Sequence, residues 1–113
     1  MSSTYFIVLG TDHPDSHALR EQVRPSHREW LREHHGHAVS VIHAGPTVDA
    51  QGRMNGTALV VEASDECDVR RFFDADPYSR AGLFASVEIR SWLWTFGRQE
   101  SERQSARPVP RRD

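Results

Sequence analysis

Apolar positions along the chain alternate in short runs, and between these runs they recur at helical spacing, so the order of the patterns predicts the architecture. Residues 4–10 (TYFIVLG) are β-branched and aromatic, with Tyr5, Ile7 and Leu9 on one face and Phe6 and Val8 on the other. Both faces are apolar, so both are expected to be covered. Residues 11–16 are turn-rich, and 17–23 are helix-compatible until Pro25 interrupts the pattern, because an interior proline removes a hydrogen bond and restricts the residue before it. The spacing therefore predicts that the main first helix starts at Pro25 and runs to His35, with Gly36 as its stop. His27, Leu31 and His34 then fall on one stripe with Trp30 beside it, which turns His27 toward the sheet. In the first turn of such a helix, the positive end of the dipole would favour the neutral imidazole.

A second strand reads over 38–44, with Val39, Val41 and His43 on one face and Ser40, Ile42 and Ala44 on the other, ended by Gly45-Pro46. Residues 47–55 read as a connecting loop and 56–63 (GTALVVEA) as a third, regular strand. Ser64 is the predicted N-cap of a second helix over 65–75, whose acidic first turn suits the dipole and whose Val69, Phe72 and Phe73 form an apolar stripe. Pro77 ends it. A fourth strand is expected over 85–96, with Val87, Ile89 and Leu93 on one face and Trp92, Trp94 and Phe96 gathering on the other. Three large rings opposite the core stripe predict a buried interface.

The resulting order, βαββαβ, is that of an α+β, ferredoxin-like domain: a four-stranded antiparallel sheet with both helices on one face. The other face is expected to pack on a second copy as a homodimer. Residues 1–97 form the expected domain. Residues 98–113 hold five Arg, three acids, two prolines and almost nothing apolar, which predicts a disordered tail.

Composition narrows the function classes. The 113 residues carry a formal net charge of −2, which offers no broad field for nucleic acid or an anionic membrane. All cations are Arg, as a GC-rich coding sequence would produce. A single cysteine, Cys67, excludes an intrachain disulfide, and its apolar helical neighbours predict a buried packing role. No apolar run approaches the length of a signal core or membrane span, which leads to the expectation of a cytoplasmic protein. Seven histidines invite a metal reading at His34, His35 and His37 or at the His13 and His17 pair, but no HExxH or Cys/His spacing occurs, so no metal site is expected.

Four strings in sequence, Arg24-Pro-Ser-His27, Ala44-Gly45-Pro46, the Gly56 strand, and Asp74-Ala-Asp76-Pro-Tyr78 with Ala81-Gly-Leu-Phe84, resemble the YciI-like (YCII-related) family over roughly residues 4–96. The resemblance implies a dimeric α+β barrel and a cleft with a His and Asp pair, here His27 and Asp76. An Asp common just after the family's first strand corresponds to Asp12. The implied chemistry is elimination, of lyase or dehydrohalogenase type, or isomerisation of small cyclic or aromatic compounds. Trp30, the histidines ending the first helix, and the tail depart from the family pattern.

An imidazole and a carboxylate can together move a proton near neutral pH. His27 is the candidate base, with Asp76 or Asp12 as orienting or proton-accepting partner. Asp76, standing before Pro77, also has the form of a helix N-cap. Tyr78 could donate a phenolic hydrogen bond. Arg24, and less favourably Arg80, could bind a substrate carboxylate or enolate. Gly45 and Pro46 would line the pocket as scaffold. The leading expectation is a homodimer that needs no cofactor and acts on a small organic acid, cyclic ketone or enol. Its rivals are a non-catalytic binding or sensing domain, in which His27 only donates a hydrogen bond, and a structural dimerisation module with no enclosed polar pocket.

Overall fold

In the computed structural model, residues 4–33 and 38–97 are described. Seven elements follow one another: β1 (Thr4–Asp12), α1 (His17–Arg32), β2 (Val39–Val48), β3 (Met54–Ala63), α2 (Glu66–Asp74), the single-turn α3 (Pro77–Arg80) and β4 (Phe84–Trp92). The strands form one antiparallel sheet in the order β2-β3-β1-β4, the ferredoxin-like arrangement. The helices share one face of the sheet. Phe6 and Val8 of β1 and Leu59 and Val61 of β3 project into that layer, where they meet Val69, Phe72 and Phe73 of α2. Each fully buried side chain of this kind contributes about 1.5–3 kcal/mol.

The break predicted at Pro25 does not occur, and α1 is continuous from His17 to Arg32. Pro25 and Glu21, whose carbonyl loses its helical donor, both lie on the exposed side, where water can take that hydrogen bond. The buried side supplies what holds the helix together across the proline. Arg20 and His27, two turns apart on the inward stripe, are both buried and both bound to groups outside the helix. His27 therefore sits in the third turn, beyond the first-turn reach of the dipole, which does not bear on the imidazole as the sequence suggests.

Arg20 ties α1 to the sheet. Its Nε donates to Asp12 Oδ2 at 2.8 Å, while one Nη donates to Asp12 Oδ1 at 3.0 Å and to Thr57 Oγ1 of β3 at 2.9 Å. The guanidinium is 2% exposed, so its fork must be satisfied internally.

Other expectations are corrected. β2 does not stop at Gly45-Pro46, because it is an edge strand and a proline lacking an N–H can sit there without breaking a central ladder. A register shift between Val41 and His43 turns the strand over, so His43 stands on the uncovered face near Trp94 rather than beside Val39 and Val41. The expected loop shrinks to a tight connection, in which Asp49 Oδ1 accepts from the backbone N–H groups of Gln51 and Arg53. The cap of α2 is Asp65, which accepts from Asp68 N, not Ser64. Cys67 is exposed, because the inward stripe of α2 is carried by Val69, Phe72 and Phe73. β4 ends at Trp92, whose partner Tyr5 lies next to the start of β1. Beyond that point no strand remains to pair with, and Leu93 and Phe96 are 83% and 92% exposed. Trp94 stays on the uncovered face, stacked with Trp92 at 5.3 Å and edge-on to Tyr5 at 5.2 Å. The tail and His34, His35 and His37 lie outside the described residues.

Glycine is required where β1 and β3 crowd. A Cβ on Gly56 would stand 2.4 Å from the carbonyl oxygen of Gly10 and 2.6 Å from Thr47 Oγ1. Gly56→Ala is expected to destabilise the fold by about 1–3 kcal/mol through overpacking, read as a melting temperature lower by several degrees. An unchanged melting temperature would show that the strands can separate at little cost. Arg20→Met strands the Asp12 carboxylate and is expected to cost about 3–5 kcal/mol. The double variant Arg20→Met/Asp12→Leu should regain most of that loss in chemical denaturation, whereas equal losses would argue against a desolvated pair.

Candidate active site

The chain folds back on itself so that α3 lies beside the middle of α1, and this places Asp76 against His27. Asp76 is fully buried, and its backbone leaves the helical region just before Pro77. Its Oδ1 accepts from Tyr78 N at 2.9 Å, the N-cap bond that starts α3. The same oxygen lies 2.8 Å from His27 Nδ1. Because Oδ1 already receives one N–H, the consistent assignment is that Nδ1 carries the proton and donates it. In the neutral imidazole, Nε2 then carries the lone pair that can accept a proton. Asp76 Oδ2 is buried with no hydrogen bond to any described protein group.

Tyr78 is the floor on which this pair rests. Its ring stacks on the imidazole at 4.1 Å between centroids, and the Arg20 guanidinium lies 4.5 Å from the same centroid. Burial pushes the Tyr78 phenol above its ordinary pKa, partly opposed by Arg20 and Arg24 and reinforced by Asp76 and Asp12. The phenol is thus a neutral donor near pH 7. For Arg20, burial opposes the charge, but the hydrogen bonds and charge of Asp12, with Tyr78 and Asp76 nearby, outweigh it and raise the pKa further. Trp30 stacks on Phe72 at 4.4 Å and fixes the next part of α1 over α2.

His27, Tyr78 and Arg20 border a cavity of about 290 Å³, at the small end of ligand sites. His27 is 7% exposed, and it lines this cavity together with Tyr78, Thr57 and Arg20. β2 contributes Ala44, Gly45 and Pro46 opposite, and α1 adds Arg24, Arg28 and Leu31. The geometry thus brings together His27, Asp76, Tyr78, Arg24, Gly45 and Pro46. Asp12 does not line the cavity. Of the two aspartates offered as partners for His27, Asp76 holds the imidazole and Asp12 holds Arg20. Arg80 is exposed at the end of α3 and is not among the lining residues.

Arg20, Thr57 and Arg28 were missed from sequence. Arg20 lies seven residues before His27, the spacing of one helix face, but the break predicted at Pro25 hid that relation. Among the described residues no three His, Cys, Asp or Glu side chains gather as a metal-binding group, and no helix is long and apolar enough to cross a membrane.

With this geometry in view, similarity to known proteins becomes informative. No curated protein matches the sequence. A solved structure of the dehydrochlorinase TftG from Burkholderia phenoliruptrix AC1100, which acts on 5-chloro-2-hydroxyhydroquinone and was captured with 2,5-dihydroxybenzoquinone, superposes with a TM-score of 0.69 at 28% identity, covering 79% of this chain and 93% of that one. A candidate antibiotic biosynthesis monooxygenase from Bacteroides thetaiotaomicron (TM-score 0.55, 10% identity, 88% and 95% covered) and PA3566 from Pseudomonas aeruginosa (0.51, 13%, 84% and 96%) share the fold. The description of the YCII-related domain matches residues 4–93, and the chain therefore belongs to the YCII-related family.

Proposed function

We propose that the chain is a lyase that eliminates a small leaving group, such as halide, from a ring compound carrying acidic hydroxyls. The observation that carries this reading is the 2.8 Å contact of His27 Nδ1 with Asp76 Oδ1, made by an imidazole that also lines the cavity. Likeness to the dehydrochlorinase TftG supports it.

In the proposed step, His27 Nε2 accepts the proton of a ring hydroxyl. This occurs on the keto tautomer, in which the hydroxyl beside the halogen-bearing carbon has given its proton to that carbon and made it tetrahedral; the O–H electron pair then becomes a carbonyl π bond, the ring double bond shifts to the tetrahedral carbon, and the carbon–halogen bond breaks with halide leaving. The proton on Nε2 then passes to solvent, so hydrogen halide is lost overall and no electrons are exchanged with a cofactor. Asp76 holds the ring orientation and stabilises the transient imidazolium, and Tyr78 supports its face. Asp12 serves through Arg20, as a positioning group. Isomerisation would use the same proton transfer without departure of the leaving group.

The uncovered face of the sheet, with Tyr5, Ile7 and Leu9 from β1 beside Trp92 and Trp94, is proposed to pack on a second copy.

His27→Gln is expected to lower halide release from a chlorinated trihydroxybenzene by about 10²–10⁴-fold, with binding of 2,5-dihydroxybenzoquinone kept within a few-fold. Asp76→Asn keeps an oxygen for the Tyr78 N–H yet removes the charge, so kcat should fall by about 10²-fold or more while KM changes little. Wild-type protein that binds the quinone and converts nothing, in either variant or parent, would favour the sensing reading. Sedimentation should show a dimer that Trp92→Glu converts to monomer, and a monomeric parent at micromolar concentration would reject the sheet-face interface.

A further inference from the structure

The charges around the cavity do not cancel evenly. Arg20 is matched by Asp12 at 2.8 Å, and Arg24 reaches Glu21 at 3.4 Å. Asp76 is shared between the imidazole and a backbone N–H. Arg28 also lines the cavity, and among the described residues it has no carboxylate within ion-pair distance. Glu21 and Glu29 share a depression on the outer side of α1 with Arg28 without pairing to it. Arg24 and Arg28 are one turn apart on the same helix, so their side chains lie next to each other at the mouth, with His27 and Tyr78 deeper inside.

A cation with no carboxylate partner among the described residues, at the entrance of a small hollow, favours a ligand that brings its own negative charge. A guanidinium is suited to two oxygens at once, which distinguishes a carboxylate or a ring enolate from a neutral carbonyl or amide. We propose that Arg28 is the specificity-determining residue of the cleft and that it selects ring compounds bearing an ionised oxygen group, which it holds at the mouth while the rest of the ring reaches toward His27. This rests on the reading of the cleft as the substrate site and deepens it by naming the charge class of the substrate. Arg24 assists, its own charge being drawn partly to Glu21.

The test uses the full chain and two isosteric probes, 4-hydroxybenzoate and the neutral 4-hydroxybenzamide, titrated calorimetrically into wild type, Arg28→Gln, Arg28→Lys and His27→Gln. Arg28 is exposed, and equal melting temperatures will confirm that the variants are folded. Wild type is expected to bind the acid at least tenfold more tightly than the amide, with that preference weakening as salt is added. Arg28→Gln should lose the preference while binding the amide as wild type does, and Arg28→Lys should keep part of it. A wild-type protein that binds neither probe, or does not distinguish them, overturns the proposal, as does an Arg28→Gln variant that retains the preference. His27→Gln separates the two ideas. Preference kept in that variant supports the role of Arg28 even if halide release proves independent of His27, whereas loss of the preference there would move the anion contact from Arg28 to the imidazole.

Discussion

One carboxylate oxygen holds the site together. Asp76 Oδ1 accepts both the N–H that begins α3 and the N–H of the imidazole that projects from α1. Burying a carboxylate in this layer is costly unless hydrogen bonds replace its water. Here the replacement donors come from two different elements, so the cap and the orientation of His27 are a single arrangement. Starting α3 at that point also sets Tyr78 under the imidazole, because the ring is two residues from the oxygen that anchors it. Shape and tautomer follow from the same contact.

A second framework keeps that contact in place from the sheet side. Arg20 spans from α1 to Asp12 at the end of β1 and to Thr57 in β3, next to Gly56, where an added Cβ would meet the carbonyl oxygen of Gly10. The end of β1 is further fixed by His13 N donating to Leu83 O just after α3. Gly82, at a positive φ of 76°, allows the chain to leave α3 and enter β4 in so few residues. The helix α1 is thus held at two points on its buried stripe, on either side of a proline that faces solvent. This explains how the helix tolerates Pro25, and why the two anchor side chains are both polar and both buried.

Much of this was legible in the chain. Alternation in residues 4–10 and 56–63, the stripe of Val69, Phe72 and Phe73, and the Asp76-Pro77 junction each report a local geometry that the fold keeps. Errors arose where tertiary contacts outweigh local preference. Pro25 is a strong local breaker, costing about 3 kcal/mol inside a helix, yet bonds from Arg20 and His27 to other elements keep α1 intact. Gly45-Pro46 reads as a stop only if β2 is taken for an interior strand. Ile42, at the register shift, carries no mark in the sequence that distinguishes it from its neighbours. The apolar helical neighbours of Cys67 suggest the core, although its helix turns it outward. Arg20 escaped notice because its partners are 8 and 37 residues away, and no periodicity reports on a contact of that kind.

The cavity has an inner half and an outer half with different physics. Inside, Arg20 meets Asp12 and His27 meets Asp76, and the buried Tyr78 ring packs against both the imidazole and the guanidinium. A proton moved there is felt strongly, because few solvent dipoles remain to screen it. At the mouth, Arg24 and Arg28 stand in a wetter setting, where charge acts over a longer range at lower strength and leaves the inner pairs undisturbed. Both halves are written on one helix face: the buried positions 20 and 27 bind to the fold, while positions 24 and 28, one and two turns beyond position 20, lie toward solvent. Residues at the mouth can therefore change without unsettling the inner pair.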